Sequence, residues 1–270
     1  MRLGPIHAAT IVVRNLDRAL AAYRQVGLVV ADRGRLPQQR GLDMGDAAFA
    51  DAACASLRSV ADVSPWLTLI EMPGAAPGAP CTRRGWTALS VVVDDIESLA
   101  AQLDPQLWRV LDEPAVLPIA DELQSLQLVG GDGEVLRLVQ VIEGAGSSLP
   151  TIARCPVGRI FAATLAARDC RSALAFYAGL GLAPGGSLGA SRAAPAETAL
   201  VPQAHGQLCG GNRIDFEQRP LLANADATLR SGIRMISFAR SDRSGRRLAA
   251  DVDPSARILA GPEGEAIELV

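Results

Sequence analysis

Residues 6–28 read IHAATIVVRNLDRALAAYRQVGL and residues 160–182 read IFAATLAARDCRSALAFYAGLGL; 11 of the 23 positions are identical without a gap. Self-similarity of this kind marks an internal repeat and takes precedence over any single element. Each copy opens on an apolar run of strand length and turns at Asn15 or Asp169. Apolar residues at helical spacing follow: Leu16, Ala19, Leu20 and Tyr23 in the first copy, Ala173, Leu174 and Tyr177 in the second. A glycine then ends the helix, Gly27 or Gly181, where a left-handed cap costs little. The unit is strand, helix, strand.

Two weaker copies of the opening are WTALSVVVDDIESLAAQL from Trp86 and IRMISFARSDRSGRRLAADV from Ile233, so the chain holds four units. Each closes on a strand pair whose last member reads TLIEM (68–72), VLRLV (135–139), RIDF (213–216) or AIELV (266–270). Three are preceded by hairpin signals, Gly-Gly-Asp-Gly at 130–133, Gly-Gly-Asn at 210–212 and Gly-Pro-Glu-Gly at 261–264. Residues 141–157 have neither periodicity and read as the link between two halves. The expected domains are residues 1–145 and 157–270, two units each, joined by a linker at 146–156. Pro-rich residues 73–80 (PGAAPGAP) read as a flexible connector between units one and two.

Length and composition fit this plan. The chain has 270 residues, enough for two ordinary domains, with 49% hydrophobic and 20% charged residues, far from the composition of disordered chains. The net charge is -3, and the 26 basic residues, all arginine, are interleaved with 29 acids, which argues against a nucleic-acid surface. No apolar run approaches the roughly 20 residues of a membrane span, and no signal peptide opens the chain, so the expectation is a cytoplasmic protein with neither nucleic-acid nor membrane partner. Five cysteines without a CxxC pair disfavour a disulfide framework or a zinc site.

These residues resemble the vicinal oxygen chelate superfamily, the fold of glyoxalases, bleomycin-resistance proteins and extradiol dioxygenases. The matching pieces are Val13-Arg14-Asn15 and Val93-Asp94-Asp95, Phe176-Tyr177 with Leu180-Gly181, and Gly261-Pro262-Glu263-Gly264 leading to Glu268-Leu269. The resemblance implies an α+β fold of four βαβββ modules paired into two half-open barrels. It also implies a divalent metal held by side chains of the first and last strands of each module. The first-strand ligand lies seven residues before the Asp of Val-x-Asp, which here gives Ala8, Ala88, Ala162 and, by register, either Arg234 or Met235. Alanine offers no ligand, guanidinium no lone pair, and a lone thioether is soft.

Alignment of the apolar-x-apolar pattern puts Glu71, Arg137, Asp215 and Glu268 in one last-strand column. With the modules paired in chain order, the first barrel sets Glu71 against Arg137 as an internal ion pair, and the second carries Asp215 and Glu268. Two carboxylates can share a metal or a proton, or serve as a general base. An inward Arg234 would neutralise them. The chain has only two histidines: His7 falls one residue from a ligand position, and His205, in VPQAHGQL, can swing over the second barrel.

The leading expectation is a protein that binds a small organic molecule in a barrel cavity through Arg234, Met235, Glu71, Arg137 and His205. Its usual metal site is lost, no cofactor is needed, and Asp215 and Glu268 are the catalytic candidates. The alternative is a metal-dependent lyase, isomerase or ring-cleaving dioxygenase with the ion on Glu268, Asp215 and His205. A scaffolding role predicts filled barrels. Whether the protein is an enzyme, and whether it forms a homodimer or swaps modules between chains, stays open.

Overall fold

A computed structural model describes residues 2–80, 82–117, 120–142, 155–185, 189–191, 201–223, 230–241 and 257–270. The first module comprises β1 (Arg2–Val13), α1 (Leu16–Gln25), β2 (Leu28–Arg35), the short α2 (Gln38–Asp43), β3 (Ala53–Ser59) and β4 (Leu67–Glu71). The second comprises β5 (Gly85–Val93), α3 (Ile96–Ala100), β6 (Arg109–Val110), β7 (Ala115–Leu117), β8 (Ala120–Val129) and β9 (Val135–Val141). In the third are β10 (Val157–Ala167), α4 (Cys170–Gly179), β11 (Ala183–Pro184), β12 (Gly189–Ser191), β13 (Val201–Gln207) and β14 (Arg213–Gln218). The fourth shows β15 (Gly232–Ser241), β16 (Arg257–Ala260) and β17 (Ala266–Leu269).

The repeat's turn residue is a helix cap. Asn15 Oδ1 accepts from the Arg18 amide at 2.8 Å, Asp95 Oδ1 from Ser98 at 2.9 Å and Asp169 Oδ2 from Ser172 at 3.0 Å. Each satisfies an amide that the first helical turn leaves orphaned. Side-chain hydrogen bonds from Ser98 and Ser172 hold the Asp95 and Asp169 carboxyls below the usual range. The predicted apolar stripe of α1, Leu16, Ala19, Leu20 and Tyr23, is buried.

The described strands form two mixed sheets, neither closed into a barrel. One runs β16-β17-β15-β1-β4-β3-β2, the other β11-β13-β14-β10-β5-β9-β8-β6, with β12 beside β13 and β7 beside β8. Module one therefore shares a sheet with module four through antiparallel β1 and β15, and module two shares the other with module three through β5 and β10. This corrects the expected pairing in chain order. All four modules present the same kind of first strand, so the repeat identifies what pairs without saying which copy is the partner. Residues 146–154 of the expected linker lie outside the described residues.

The connector after module one is packed rather than loose. A Cβ on Gly78 would meet the Asp132 carbonyl oxygen at 2.3 Å and that of Ser231 at 2.4 Å, and the Gly78 amide donates to Ser231 Oγ at 2.9 Å. One face of each sheet, with α1 and α4, forms a continuous core that includes Ile11, Leu69, Leu89, Leu138, Leu165, Phe216 and Phe238. The opposite, outer faces belong to separate clusters, which include the first-strand positions Met235, Ala162 and Ala88.

Candidate ligand-binding site

Strand register fixes which side chains share an outer face. Ala162 pairs with Ser90 and Thr164 with Ala88 in one sheet; Ala8 pairs with Ser237 and Thr10 with Met235 in the other. The equivalent first-strand positions are thus Ala8, Ala88, Ala162 and Met235. Two residues on stands a column of hydroxyls: Thr10, Ser90, Thr164 and Ser237. The closing strands place Thr68 beside Thr10, Arg137 beside Ser90, Asp215 beside Thr164 and Glu268 beside Ser237.

Two readings are settled by this register. Met235 takes the first-strand position, while Arg234 is the extra residue of a β-bulge, since Met235 pairs with Thr10 and Ile233 already with Ile11. Glu71 does not belong to the column; Thr68 does. An offset of three residues turns a strand side chain to the other face. Glu71 instead accepts from the Leu16 amide at 2.8 Å, as Gln140 does from Ile96 at 2.9 Å and Gln218 from Cys170 at 3.5 Å. It caps a helix and makes no pair with Arg137.

On the first sheet the outer face is filled by the chain itself. The segment between β2 and β3 carries α2 and a 3-10 turn (Ala47–Phe49), and its Leu36, Met44 and Phe49 pack on Val12, Ile70 and Met235. Arg40 of α2 reaches in to Glu268 Oε1, and Ser237 Oγ donates to Glu268 Oε2. The Glu268 side chain is 3% exposed, so its charge is matched by this guanidinium. Arg234 donates to the Met44 carbonyl at 3.4 Å and lies 5.8 Å from the centre of the Phe49 ring. Glu268, Met235 and Arg234 therefore come together, but as anchors of a plug.

The outer face of the second sheet differs. Its floor is small, Ala88, Ser90, Ala162 and Thr164, all buried, and the hydroxyls of Ser90 and Thr164 have no hydrogen-bond partner. Over this floor Arg137 Nη2 faces Glu217 Oε1 at 3.8 Å, and Arg219 Nη2 stands 3.5 Å from Glu217 Oε2. Arg137 and Glu217 sit on β9 and β14, three strand spacings or about 14 Å apart in a flat sheet, and meet because the sheet curls. Burial pushes the Glu217 carboxyl upward, against the pull of the two arginines. Asp215 Oδ1 pairs with Arg213 Nε at 3.0 Å, and its Oδ2 is buried without a hydrogen-bond partner. His205 pairs directly with Asp215 across β13 and β14, so the two share this face. At the rim, Gln127 Nε2 donates to Asp112 at 3.3 Å, and burial raises the Asp112 carboxyl.

A metal of the kind the resemblance implies does not fit either face. The second sheet offers Ala88 and Ala162 with Arg137 and Asp215; the first offers Ala8 and Met235 with Thr68 and a Glu268 already bound by Arg40. The expected trio of Glu268, Asp215 and His205 is divided between the sheets. Among the described residues no group of three His, Cys, Asp or Glu side chains could hold an ion. No helix among them is long and apolar enough to cross a membrane.

Sequence reasoning missed Glu217 and Arg40, and it passed over the hydroxyl column although the aligned repeat displays it. The alternation Arg213, Asp215, Glu217 in RIDFEQ was the signal for a polar strand face.

The sequence matches no protein-family model and none of the curated proteins. Solved structures do match. Glyoxalase I from Zea mays superposes with a TM-score of 0.61 at 15% identity, over 98% of this chain and 92% of that one. A candidate dioxygenase from Bacillus subtilis gives 0.63 at 15% identity, over 99% of this chain and 85% of that one. At such identities the likeness is one of fold alone, the fold that glyoxalase I and this second structure share.

Proposed function

We propose that the protein binds a small organic molecule on the outer face of its second sheet, without the divalent ion used elsewhere in this fold. One observation carries the reading: Ser90 and Thr164 hold fully buried, unpartnered hydroxyls at the centre of a face whose first-strand metal positions are both alanine. A buried hydroxyl without a partner costs about 1–3 kcal/mol, which a ligand's polar group would recover. Arg137 and Glu217, too far apart for a close ion pair, are free to exchange each other for a ligand carboxylate and a ligand hydroxyl or amine. The plugged first sheet leaves the second as the binding face. Asp215, half committed to Arg213 and beside His205, is the residue from which a general base would come.

The test is a heat-denaturation screen of the intact protein against small organic acids, alcohols and amines, with elemental analysis of protein purified without chelators. The reading expects a midpoint shift by some compound that Thr164→Val and Arg137→Ala both abolish, and no stoichiometric metal. A metal bound one per chain and lost in Asp215→Asn would overturn it.

A further inference from the structure

Beside the plug on the first sheet, and away from the outer face of the second, a cavity of about 190 Å³ opens between the starts of β5 and β15 and the turns before β9 and β17. Its lining repeats across the two halves of the chain. Arg83, Gly85 and Thr87 on one side correspond to Arg230, Gly232 and Arg234 on the other, as do Glu134 and Glu265. Thr87 and Arg234 are the bulged residues of their strands, and Gly85 and Gly232 have φ of 108° and 117°. That backbone region favours glycine, and the missing side chains leave the space open.

The lining is rich in cations. Arg84 is committed, its Nε to Glu263 at 2.9 Å and its Nη1 to the Pro220 carbonyl at 3.2 Å. Arg230 and Arg234 make no ion pair among the described residues; Arg234 spends Nη2 on the Met44 carbonyl of the plug, and its Nε is buried with no hydrogen-bond partner. The two carboxyls present are spoken for. Glu134 accepts from the Tyr23 hydroxyl at 3.2 Å and the Asp132 amide at 3.1 Å; Glu265 accepts from the Tyr177 hydroxyl at 2.6 Å and the Glu263 amide at 2.9 Å. Burial raises both carboxyls, Glu134 to about 7, and the hydroxyls and amides they accept from occupy their oxygens.

We propose that this cavity is an oxyanion site, taking a phosphate-sized dianion between Arg230 and Arg234. The volume lies below the several hundred Å³ of a drug-sized pocket and suits a small anion. Guanidinium groups supply paired N–H donors in the geometry such oxygens accept. The site shares no residue with the outer face of the second sheet, so it stands or falls independently of the reading above.

The experiment is calorimetric titration of the full chain with inorganic phosphate and with glycerol phosphate, ionic strength held constant with chloride. The comparison is with Arg230→Ala and with Arg109→Ala, an exposed arginine on β6. The expected result is saturable binding of at least one of the two, weakened tenfold or more in Arg230→Ala and unchanged in Arg109→Ala. Preference for inorganic phosphate identifies the free ion as ligand; equal or tighter binding of the ester identifies a phosphoryl group on an organic molecule. Absence of saturable binding, or equal loss in both variants, overturns the proposal.

Discussion

Replacing Glu134 by Gln should stabilise the protein above neutral pH and leave it unchanged in acid. Glu134 is 4% exposed, and burial lifts its carboxyl from 4.5 to about 7 in the folded protein. Between those values the unfolded chain has released the proton while the native state still holds it. Stability contributed by this group is therefore complete below pH 4.5 and is lost as pH rises toward 7. At 1.4 kcal/mol for each tenfold change, the full loss is about 3 kcal/mol. Glutamine imitates the protonated carboxyl, retaining an acceptor for one of the two bonds from Tyr23 and Asp132. The stability difference between Glu134→Gln and the parent should grow from near zero at pH 4.5 to about 3 kcal/mol at pH 8, measured by urea denaturation across that range. Taking a difference cancels every other titrating group the two proteins share. A difference that stays constant with pH would refute the reasoning, since it would mean that the carboxyl ionises as easily in the folded protein as in the unfolded one.

Arg40→Ala should destabilise by about 3 kcal/mol, because it strands the Glu268 carboxylate in a buried position. Adding Glu268→Ala should return part of that loss in a double-mutant cycle read by chemical denaturation. Glu71→Ala should cost about 1 kcal/mol, the usual price of a helix cap, while leaving ligand-induced shifts of the second sheet's face intact. Gly133→Ala should lose more than about 2 kcal/mol in the same assay, because φ is 84° and the new methyl would meet the Gly78 carbonyl carbon at 2.4 Å.

The modules, their helices and their caps were legible because a repeat reports local structure twice over. Asn15 and Asp169 announce a helix start whether or not its tertiary setting is known. Sheet partnership was not legible, because the hydrogen-bonding edge of β1 accepts an antiparallel neighbour from any copy. The closing-strand column failed at one member for a related reason. IEM at 70–72 satisfies the apolar pattern three residues away from its true register, LTL at 67–69, and only the bonds from β1 to β4 distinguish Thr68 from Glu71. Arg137 and Glu217 could not be joined from sequence, since their contact depends on the curl of a sheet across two intervening strands. The plug was hidden differently: residues 36–52 carry little periodicity, and their burial comes from the cavity they enter.

The crossed partnership of the modules also has a mechanical meaning. Cutting the backbone between residues 142 and 155 would not release two pieces, because each sheet draws strands from both sides of the cut. The two fragments are clasped to one another at two seams, β1 with β15 and β5 with β10. Either fragment made alone would expose both first strands as open edges and would be driven to find a second chain. Its natural complement is the missing half, so co-expressed fragments should reassemble into one particle. The chain thus behaves as a dimer whose two subunits happen to be covalently tied.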